Sequence, residues 1–488
     1  MSVSSVLHVL GRLCLVFAGL LLVPLLFVLP LGFEALFTGE VGRAFLMSAG
    51  VAGVLGLMLV MVFSKNLEEF DFEEGFAVVT FAWLLFMVLG ALPYWLSGAV
   101  PDVVNACFES ISGLSTTGAS ILTDPAALGP ALLFWRALTH WVGGMGIVVL
   151  SIAILPALGA GGNFLFQAET SGPSSEKLVP RIRDVAKLLW AVYAGLTLLS
   201  FVGLWLAGMG PFDALCHAFA TVATGGFGTR SDSLTSFGPA VQWVAVVCMV
   251  LAGMNYILVY RAMLGRPRDL LRSTELRVWL LILLGASATC FTVLFLGEGA
   301  GSGVESVLRD SVFTVVSMCT TTGFATADFG VWPQGLQVLI LLLMLSGACA
   351  GSTSGAAKVS RHLLWAKAAW REVQRMLRPT GVFVVRVEGR QIAEPVVTRS
   401  VGYLVFYLGA ACLGTLVLAL LGVGGLESVS SMITCLSGVG PGLGTLGPSS
   451  NFAELPATGK TLLMGAMLLG RLEFYAVFAL LSPLAWRR

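Results

Sequence analysis

The chain has 488 residues, of which 57% are apolar and 11% are charged, whereas about 25% of residues in soluble globular proteins are charged. So few charges cannot cover the surface of a soluble protein of this size. The net charge is +1, from 28 Lys and Arg against 27 Asp and Glu, which argues against nucleic acid as a partner. A lipid bilayer is therefore the expected environment.

Ten apolar runs follow one another along the chain, and a helix needs about 20 such residues to cross a bilayer. The runs cover residues 13–33, 44–63, 75–101, 137–168, 188–212, 233–260, 278–297, 329–357, 400–426 and 461–486. The first run has no A-x-A-like cleavage site and pairs with a second at once, so we interpret it as a retained helix rather than a signal peptide. The sequence predicts an all-α polytopic membrane protein with ten membrane spans.

The basic residues predict the orientation of these spans. With a cytoplasmic N-terminus and ten single crossings, most Lys and Arg residues face the cytoplasm. The exceptions are Arg43, Arg136, Arg230, Arg309 and Lys460 on the outer side, and Arg471 within a span. By the positive-inside rule, both termini are expected in the cytoplasm.

Four segments between the spans are too polar and too rich in glycine for contact with lipid, and they resemble one another. They are Ser-Thr-Thr-Gly-Ala-Ser at 115–120, Ala-Thr-Gly-Gly-Phe-Gly-Thr at 223–229, Thr-Thr-Thr-Gly-Phe-Ala-Thr at 320–326 and Ser-Gly-Val-Gly-Pro-Gly at 437–442. Aligned on Gly118, Gly226, Gly323 and Gly440, they mark an internal repeat. Each unit is predicted to contain a span, a short re-entrant helix, a glycine-rich loop and a second span.

A polar residue stands at the same distance before each aligned glycine: Asn105, Asp213, Asp310 and Glu427. Asn and Asp accept hydrogen bonds from the free amides at a helix start, and acidic side chains are stabilised by the positive end of the helix dipole. Each of the four residues is therefore predicted to begin a helix about half a bilayer deep. The carbonyl end of this helix would face the membrane centre, where its dipole stabilises a cation. Four loops around one axis would then form a ring of carbonyl oxygens that replaces the hydration shell of a monovalent cation.

The predicted selectivity filter follows from this alignment. The residues expected to bind the ion are Thr116, Thr117, Gly118, Thr224, Gly225, Gly226, Thr321, Thr322, Gly323, Val439 and Gly440. Glycine permits the backbone dihedrals that turn carbonyls inward, and the Thr hydroxyls are expected to add oxygen atoms. Asp124, Asp232 and Asp328 follow the glycines and are expected to raise the cation concentration at the outer mouth. The alternative for a single Thr-Thr-Gly is an ordinary turn, but four copies in register favour a pore.

Residues 347–355, Gly-Ala-Cys-Ala-Gly-Ser-Thr-Ser-Gly, are nearly devoid of large side chains. Gly, Ser and Thr weaken helices, so a break in mid-membrane is predicted, the alternative being a close helix-packing surface. Arg471 is a charge within a span, which indicates a functional role. The alternative is a structural salt bridge, with Glu473 or with another helix. An ideal helix would point Glu473 away from Arg471, which disfavours an intrahelical pair.

Three further features are interpreted without a role in binding. Arg136, His140 and Trp141 are expected to be interfacial anchors, and His217 to pack beside the filter. The nine cysteines lie in apolar surroundings without a CxxC pair, so they are expected to be small buried hydrophobes without a disulfide or metal.

The four loops resemble those of the TrkH/KtrB superfamily of potassium transporters, over about residues 75–488, and the N-terminal pair of spans is more similar to TrkH. The resemblance implies four span/pore-helix/filter-loop/span units with pseudo-fourfold symmetry, whose aligned glycines form the filter. The predicted divisions are an N-terminal hairpin at 1–70 and pore units at 71–165, 166–265, 266–380 and 381–488, the third with an intramembrane gating loop.

The resemblance implies potassium uptake across the bacterial cytoplasmic (inner) membrane, because four filter glycines are the pattern associated with potassium preference. Unit four has Gly438 and Val439 in place of threonines, so looser coordination is expected there. The implied gate residues are Gly347, Gly351, Ser352, Thr353, Ser354, Gly355, Lys358 and Arg471. The family's gating loop usually ends Gly-Gly-Ile-Lys, whereas this chain has Gly-Ala-Ala-Lys at 355–358, and a stiffer gate is expected.

The resemblance also implies a homodimer and a TrkA-like cytosolic subunit, which binds a nucleotide (NAD or ATP) and docks on the basic segment 361–399. The alternative for this segment is contact with anionic lipid. The chain has no nucleotide fingerprint, so no cofactor is expected in it, and potassium is its substrate, bound at the filter alone.

One other function stays open and two are disfavoured. A sodium or mixed Na+/K+ transporter would have the same fold. An ion-coupled transporter of another solute would show inverted repeats, which the four units in one orientation disfavour. An enzyme is not expected, because no set of paired carboxylates, nucleophile with base, or metal ligands is apparent.

Overall fold

The computed structural model describes residues 2–63, 72–158, 182–297 and 303–482. The regular structure in these ranges is almost entirely helical, as predicted. The exception is a small antiparallel hairpin, in which β1 (Arg386–Val387) pairs with β2 (Arg390–Gln391). The predicted boundaries between residues 70 and 71 and between residues 165 and 166 lie outside the described residues.

The N-terminal hairpin consists of α1 (Val3–Leu22), the short α2 (Ala35–Thr38) and α3 (Glu40–Val62). Its two long helices pack backbone against backbone at Gly11 and Gly56. A Cβ atom on Gly56 would lie 2.8 Å from the carbonyl oxygen of Gly11. Small residues permit this close approach, which is typical of helix packing in membranes.

Unit one contains α4 (Phe72–Leu96), the short α5 (Val103–Leu114) and α6 (Gly129–Leu158). The N-terminal hairpin packs on this unit, and the ring of Phe17 stacks on that of Phe86 with centroids 4.5 Å apart.

Unit two contains α7 (Ile182–Leu206), the short α8 (Pro211–Val222), and α9 (Pro239–Gly253) followed by α10 (Tyr256–Met263). A short helix, α11 (Pro267–Arg272), leads to unit three.

Unit three contains α12 (Thr274–Leu296), α13 (Val304–Cys319), α14 (Gln334–Ser346) and α15 (Val359–Leu377). The basic segment 361–399 is helical up to Leu377, where α15 ends.

Unit four follows the β-hairpin and contains α16 (Glu394–Leu420), α17 (Gly425–Ser437), α18 (Ala457–Arg471) and α19 (Tyr475–Leu481). The chain therefore repeats one order of elements: a long helix, a short helix, a loop and a second helix.

Six of the described helices are long and apolar enough to cross a membrane. They are Val3–Phe27, Glu40–Val62, Glu74–Leu96, Ala186–Leu206, Thr274–Leu296 and Glu394–Leu420. The pair α9 and α10 would make a seventh span bent by 105°. Large apolar side chains such as Val54 and Leu281, each 68% exposed, suit contact with lipid chains. The count of ten spans stays a prediction.

The second helix of every unit is interrupted. In α6 the break is at Gly146, with φ 41° and ψ −123°, and α9 and α10 are separated at Met254 and Asn255. In unit three α14 ends at Ser346, so the break predicted there is present, and in unit four the helix stops at Arg471. The sequence predicted the break in unit three alone.

The prediction that Asn105, Asp213, Asp310 and Glu427 begin the short helices holds only in part, because none of them is the N-cap, although Asp213 and Glu427 lie at the positive end of their helices as predicted. Helix α5 begins earlier, and the carboxylate of Asp102 caps it by accepting from the Asn105 amide at 2.8 Å. Asp213 and Glu427 lie in the first turns of their helices, and Asp310 lies inside the 16-residue α13. The carboxylates of Asp213, Asp310 and Glu427 bond across their loops, as shown below.

Seven cysteines are buried, in agreement with their interpretation as small hydrophobes, whereas Cys107 is half-buried and Cys412 is exposed.

Candidate functional site

The four short helices end in the same backbone turn. In each unit the amide just before the aligned glycine donates to a carbonyl five residues earlier. The bonds are Thr117 to Ser112 at 2.9 Å, Gly225 to Ala220 at 2.8 Å, Thr322 to Ser317 at 2.9 Å and Val439 to Thr434 at 3.0 Å. This 6→1 bond closes the end of a helix in the way of a Schellman motif. It sets the direction in which each loop leaves its helix.

Left-handed backbone recurs at two positions of every loop. The aligned glycines have φ of 81° (Gly118), 83° (Gly226), 79° (Gly323) and 107° (Gly440). Two residues earlier, φ is 57° at Thr116, 54° at Thr224, 59° at Thr321 and 70° at Gly438. This region is strained for β-branched residues, so Gly438 adopts without strain the conformation that the other units impose on threonine. Unit four therefore differs from the other units in sequence but repeats their backbone conformation.

The four loops adjoin one another in a closed ring. A Cβ atom would meet a carbonyl oxygen of the next unit at each aligned glycine: 2.0 Å from Gly225 at Gly118, 2.1 Å from Thr322 at Gly226, 1.8 Å from Val439 at Gly323, and 2.8 Å from Thr117 at Gly440. The order runs from unit one through unit four and back to unit one. The structure thus brings all four predicted loops together, and glycine is required there by space as well as by φ.

Threonine hydroxyls of the loops bond to the protein. The hydroxyl oxygens of Thr117 and Thr322 lie 2.8 Å from those of Ser115 and Thr320, respectively, and the Thr224 hydroxyl donates to the Ala223 carbonyl at 2.7 Å. These bonds brace each loop from within. The oxygens that the loops contribute to the ring are therefore mainly backbone carbonyls.

In units two, three and four, the acidic residues that were predicted to begin the short helices bond instead to the part of the chain that follows the aligned glycine. The Thr229 hydroxyl donates to Asp213 at 2.8 Å, and the Thr326 hydroxyl donates to Asp310 at 2.9 Å. In unit four the amide of Thr445 donates to Glu427 at 3.2 Å. The constant spacing between these acidic residues and the aligned glycines is therefore explained by a bond across each loop.

In unit one, a buried ion pair between Glu109 and Arg136 replaces this bond across the loop. The Glu109 carboxylate accepts from the Ile121 amide at 3.1 Å, from the Ser120 hydroxyl at 3.0 Å and from Nε of Arg136 at 2.8 Å. Arg136 also donates to the Gly228 carbonyl of unit two at 3.0 Å. Glu109 is 0% exposed and Arg136 is 2% exposed. The prediction that Arg136 is an interfacial anchor is therefore wrong, because its partner comes from another helix.

His140 is also a buried residue behind the ring and not an interfacial anchor. Its Nδ1 donates to the Gly113 carbonyl at 2.8 Å, and its Nε2 accepts from the Phe227 amide at 3.1 Å. A Cβ atom on Gly225 would lie 2.5 Å from this ring. The imidazole thus joins the short helix of unit one to the loop of unit two. His217 packs beside the loops as predicted, 5.6 Å from the ring of Phe324 between centroids.

A cavity of about 110 Å³ opens on the side of the ring where the chain leaves the loops, and the four aligned glycines line it. Arg136 and Arg230 line it too. Asp124, Asp232 and Asp328 were expected at this mouth, but among the described residues they are not part of the lining. Asp124 and Asp328 accept from nearby amides, those of Ala126 and Gly330, and so stabilise turns.

On the other side of the ring, residues 347–358 form a non-helical loop between α14 and α15, which we call the inner loop. Its backbone is left-handed at Gly347, Gly351, Ala356 and Lys358, with φ of 70°, 75°, 57° and 66°. Ala356 occupies a position that a glycine would fill without strain. The conformation therefore stores some strain at the place where the sequence departs from the family pattern.

The inner loop lies against the ends of the short helices. The Thr353 hydroxyl donates to the Val222 carbonyl at 2.8 Å, and the Ala356 amide donates to the Ser437 carbonyl at 2.8 Å. The Gly355 amide donates to the Thr321 hydroxyl at 2.9 Å. These contacts reach three of the four units, so the small residues form a loop under the ring and not a helix-packing surface.

Arg471 holds the inner loop from unit four. Its guanidinium donates to the Thr353 carbonyl at 3.3 Å, to the Gly144 carbonyl at 3.1 Å, and to the Gly143 carbonyl. Glu473 does not take up this charge, because it pairs with Arg361 at 2.6 Å and lies 3.9 Å from Lys358. The sequence-predicted gate residues are thus close together in space.

Sequence reasoning missed three residues of this site: Glu109, Asn255 and Glu275. Asn255 separates α9 from α10, and Glu275 contacts the inner loop. Glu109 and Glu275 are the single carboxylates of α5 and α12, and Asn255 interrupts an apolar run; these features are the signals that could have found them.

Long apolar helices and four repeats whose loops meet in one ring define an all-helical, multi-pass membrane protein. The family model for TrkH, a cation transport protein, matches residues 44–484. The chain is 35% identical to the Trk system potassium uptake protein TrkH of Escherichia coli strain K12 and 36% identical to that of Halomonas elongata, over 100% of both chains in each case. Its fold is similar to the crystal structure of the potassium transporter TrkH from Vibrio parahaemolyticus, with a TM-score of 0.86, 33% identity and 100% of both chains covered. The chain belongs to the TrkH family.

Proposed function

We propose that this protein takes up potassium through the ring of four loops and that the inner loop with Arg471 is its gate. The observation that carries the proposal is the closed ring, in which each aligned glycine abuts a carbonyl of the next unit. The names of the relatives, potassium uptake proteins, support potassium as the ion.

The chemistry of the ring suits a dehydrated monovalent cation. Carbonyls of Thr117, Gly225, Thr322 and Val439 all lie in the ring, and such carbonyls replace the hydration shell of the ion. The four short helices end at the loops, so the negative ends of their dipoles add to the attraction.

The gate acts by obstruction and by charge. The inner loop covers the ends of three short helices, and Arg471 places a positive charge beside it. A cation leaving the ring meets both. Opening requires the loop to leave the carbonyls of Val222 and Ser437.

Regulation is proposed to come from other chains. The shared name of the relatives, the Trk system, supports a TrkA-like nucleotide-binding subunit, and the basic helix α15 with the β-hairpin offers it a docking surface. A homodimer and cytoplasmic termini belong to the same proposal.

The test is growth of a potassium-uptake-deficient bacterium at low external potassium. The wild-type chain is expected to restore growth, and Gly323→Ser is expected to fail, because its Cβ would lie 1.8 Å from the Val439 carbonyl oxygen in left-handed backbone. The matched control is Gly335→Ser, where a Cβ meets nothing within 4 Å; it is expected to grow like wild type.

Two outcomes would contradict the proposal. Failure of the wild type to restore growth would refute potassium uptake, and equal growth with Gly323→Ser would refute the filter. Rubidium and sodium flux in proteoliposomes identifies the ion, and a strong preference for sodium would replace potassium in the proposal.

A further inference from the structure

One peptide group of the inner loop is held from both sides. The amide of Ala350 donates to Oε1 of Glu275 at 2.7 Å, and the carbonyl of Ala350 accepts from Nδ2 of Asn255 at 2.7 Å. Neither contact involves the ring or Arg471. Residue 350 lies in the part of the loop that precedes the contacts with the short helices.

Glu275 contacts the chain on both sides of the inner loop. It is the second residue of α12, whose N-terminus is capped by Ser273. The same carboxylate oxygen that accepts from Ala350 also accepts from the Ser360 amide, in the first turn of α15, at 3.1 Å. One carboxylate thus fixes residues 350 and 360 at once. Bonds from amides to a charged acceptor are stronger than those between neutral groups.

Asn255 contributes the second contact from the break between α9 and α10. Its Oδ1 caps α10 by accepting from the Ile257 amide at 2.9 Å, which leaves Nδ2 directed to Ala350. A Cβ atom on Gly351 would lie 2.9 Å from this nitrogen, so glycine is needed for the approach. The next backbone group adds to the contact, since the Tyr256 amide donates to the Gly351 carbonyl at 3.1 Å.

We propose that Glu275 and Asn255 are positioning residues that clamp the inner loop in its obstructing position. This inference rests on the proposed function of that loop as the gate. The loop leaves the pore only when both its pore-side contacts and this clamp are broken. The clamp therefore sets the fraction of time for which the pore is open.

The β-hairpin, on the proposed cytosolic side, is bonded to the end of α12 beside the clamp. The carboxylate of Glu388, at the hairpin turn, accepts from the amide of Thr274 at 2.9 Å, and Thr274 is the neighbour of Glu275. The hairpin is also tied to α15, because Lys367 donates to the Arg386 carbonyl at 2.7 Å. A partner that displaces the hairpin would pull on the helix end that carries the clamp.

The experiment measures rubidium flux in proteoliposomes that contain this chain alone. Glu275→Gln keeps the shape but removes the charge, and Asn255→Asp keeps the cap on α10 but removes the donor to Ala350. Each is expected to raise flux about fivefold, as expected when a charge-assisted bond becomes a neutral one or is lost, with an unchanged rubidium-to-sodium ratio. Glu372→Gln is the control, since this exposed carboxylate pairs with Arg371 and Arg375 outside the clamp.

A second readout follows the loop itself. Cys349 is 1% exposed next to the clamped residue, and Cys435 is 1% exposed in α17. Both variants are expected to speed maleimide labelling of Cys349, measured by mass spectrometry, while Cys435 stays protected. Faster labelling of both cysteines would indicate general loosening and overturn the clamp.

The outcomes separate the two proposals. Absence of rubidium flux in the wild type would refute the proposed function itself. Wild-type flux with unchanged or lower flux in the variants would refute the clamp alone. Because one substitution lies in α12 and the other in the break between α9 and α10, either folded variant decides the matter.

Discussion

Replacing Arg136 by Met is expected to abolish rubidium uptake and to lower the free energy of unfolding by about 3–5 kcal/mol. The substitution leaves the carboxylate of Glu109, 0% exposed, without its cationic partner. It also removes the bond from Arg136 to the Gly228 carbonyl, so units one and two lose one of the contacts that connect them. Unfolding in detergent and flux in proteoliposomes measure the two effects.

The matched control is Arg309→Met. Arg309 also pairs with a glutamate, Glu305, but that carboxylate is 60% exposed, and exposed pairs contribute about 1 kcal/mol or less. A loss of stability at Arg309 as large as that at Arg136 would contradict the assignment of the buried pair. The double variant Glu109→Gln with Arg136→Met is expected to recover part of the stability, because no buried charge is then left unpaired.

Replacing Arg471 by Gln is expected to raise rubidium flux about tenfold, with an unchanged preference over sodium. The guanidinium lies beside the inner loop through its bond to Thr353. A unit charge about 4 Å from the path of a cation costs it about 1 kcal/mol at the dielectric constant of water and about 4 kcal/mol at an effective dielectric constant of 20. A cost of about 1.4 kcal/mol within this range corresponds to a factor of ten in rate. Flux in proteoliposomes of the chain alone provides the measurement.

Two further variants separate the charge of Arg471 from its hydrogen bonds. Arg471→Lys keeps the charge and is expected to stay near wild-type flux, whereas Arg43→Gln, on the exposed side of α3, controls for loss of a charge elsewhere. Equal flux in Arg471→Gln and the wild type would show that the side chain does not face the ion path.

The ring of four loops could be predicted from the sequence because its determinants are local. A left-handed residue in a crowded loop requires glycine, and four such requirements at regular spacing leave a visible repeat. The backbone at Gly118 and at Gly440 is alike although the residues around them differ. Periodic apolar runs likewise predicted the helical membrane fold.

The contacts that hold the ring of loops could not be predicted from the sequence, because they join residues far apart in the chain. Asp213 was taken for a cap, since its spacing fits one, whereas its carboxylate bonds to Thr229. Arg136 was predicted at the membrane interface because it stands at the start of an apolar run, but it is buried in an ion pair with Glu109. A helix break can be predicted from sequence where many small residues occur together, as in the inner loop. A single residue such as Asn255 or Gly146 does not reveal a break.

Crystals or particles prepared in rubidium reveal whether carbonyls from the four loops surround one ion, by anomalous scattering or density at the ring. We expect rubidium on the axis, encircled by the carbonyl oxygens of Thr117, Gly225, Thr322 and Val439. Rubidium bound away from this axis, or an ordered ring that takes up no rubidium, would contradict this expectation.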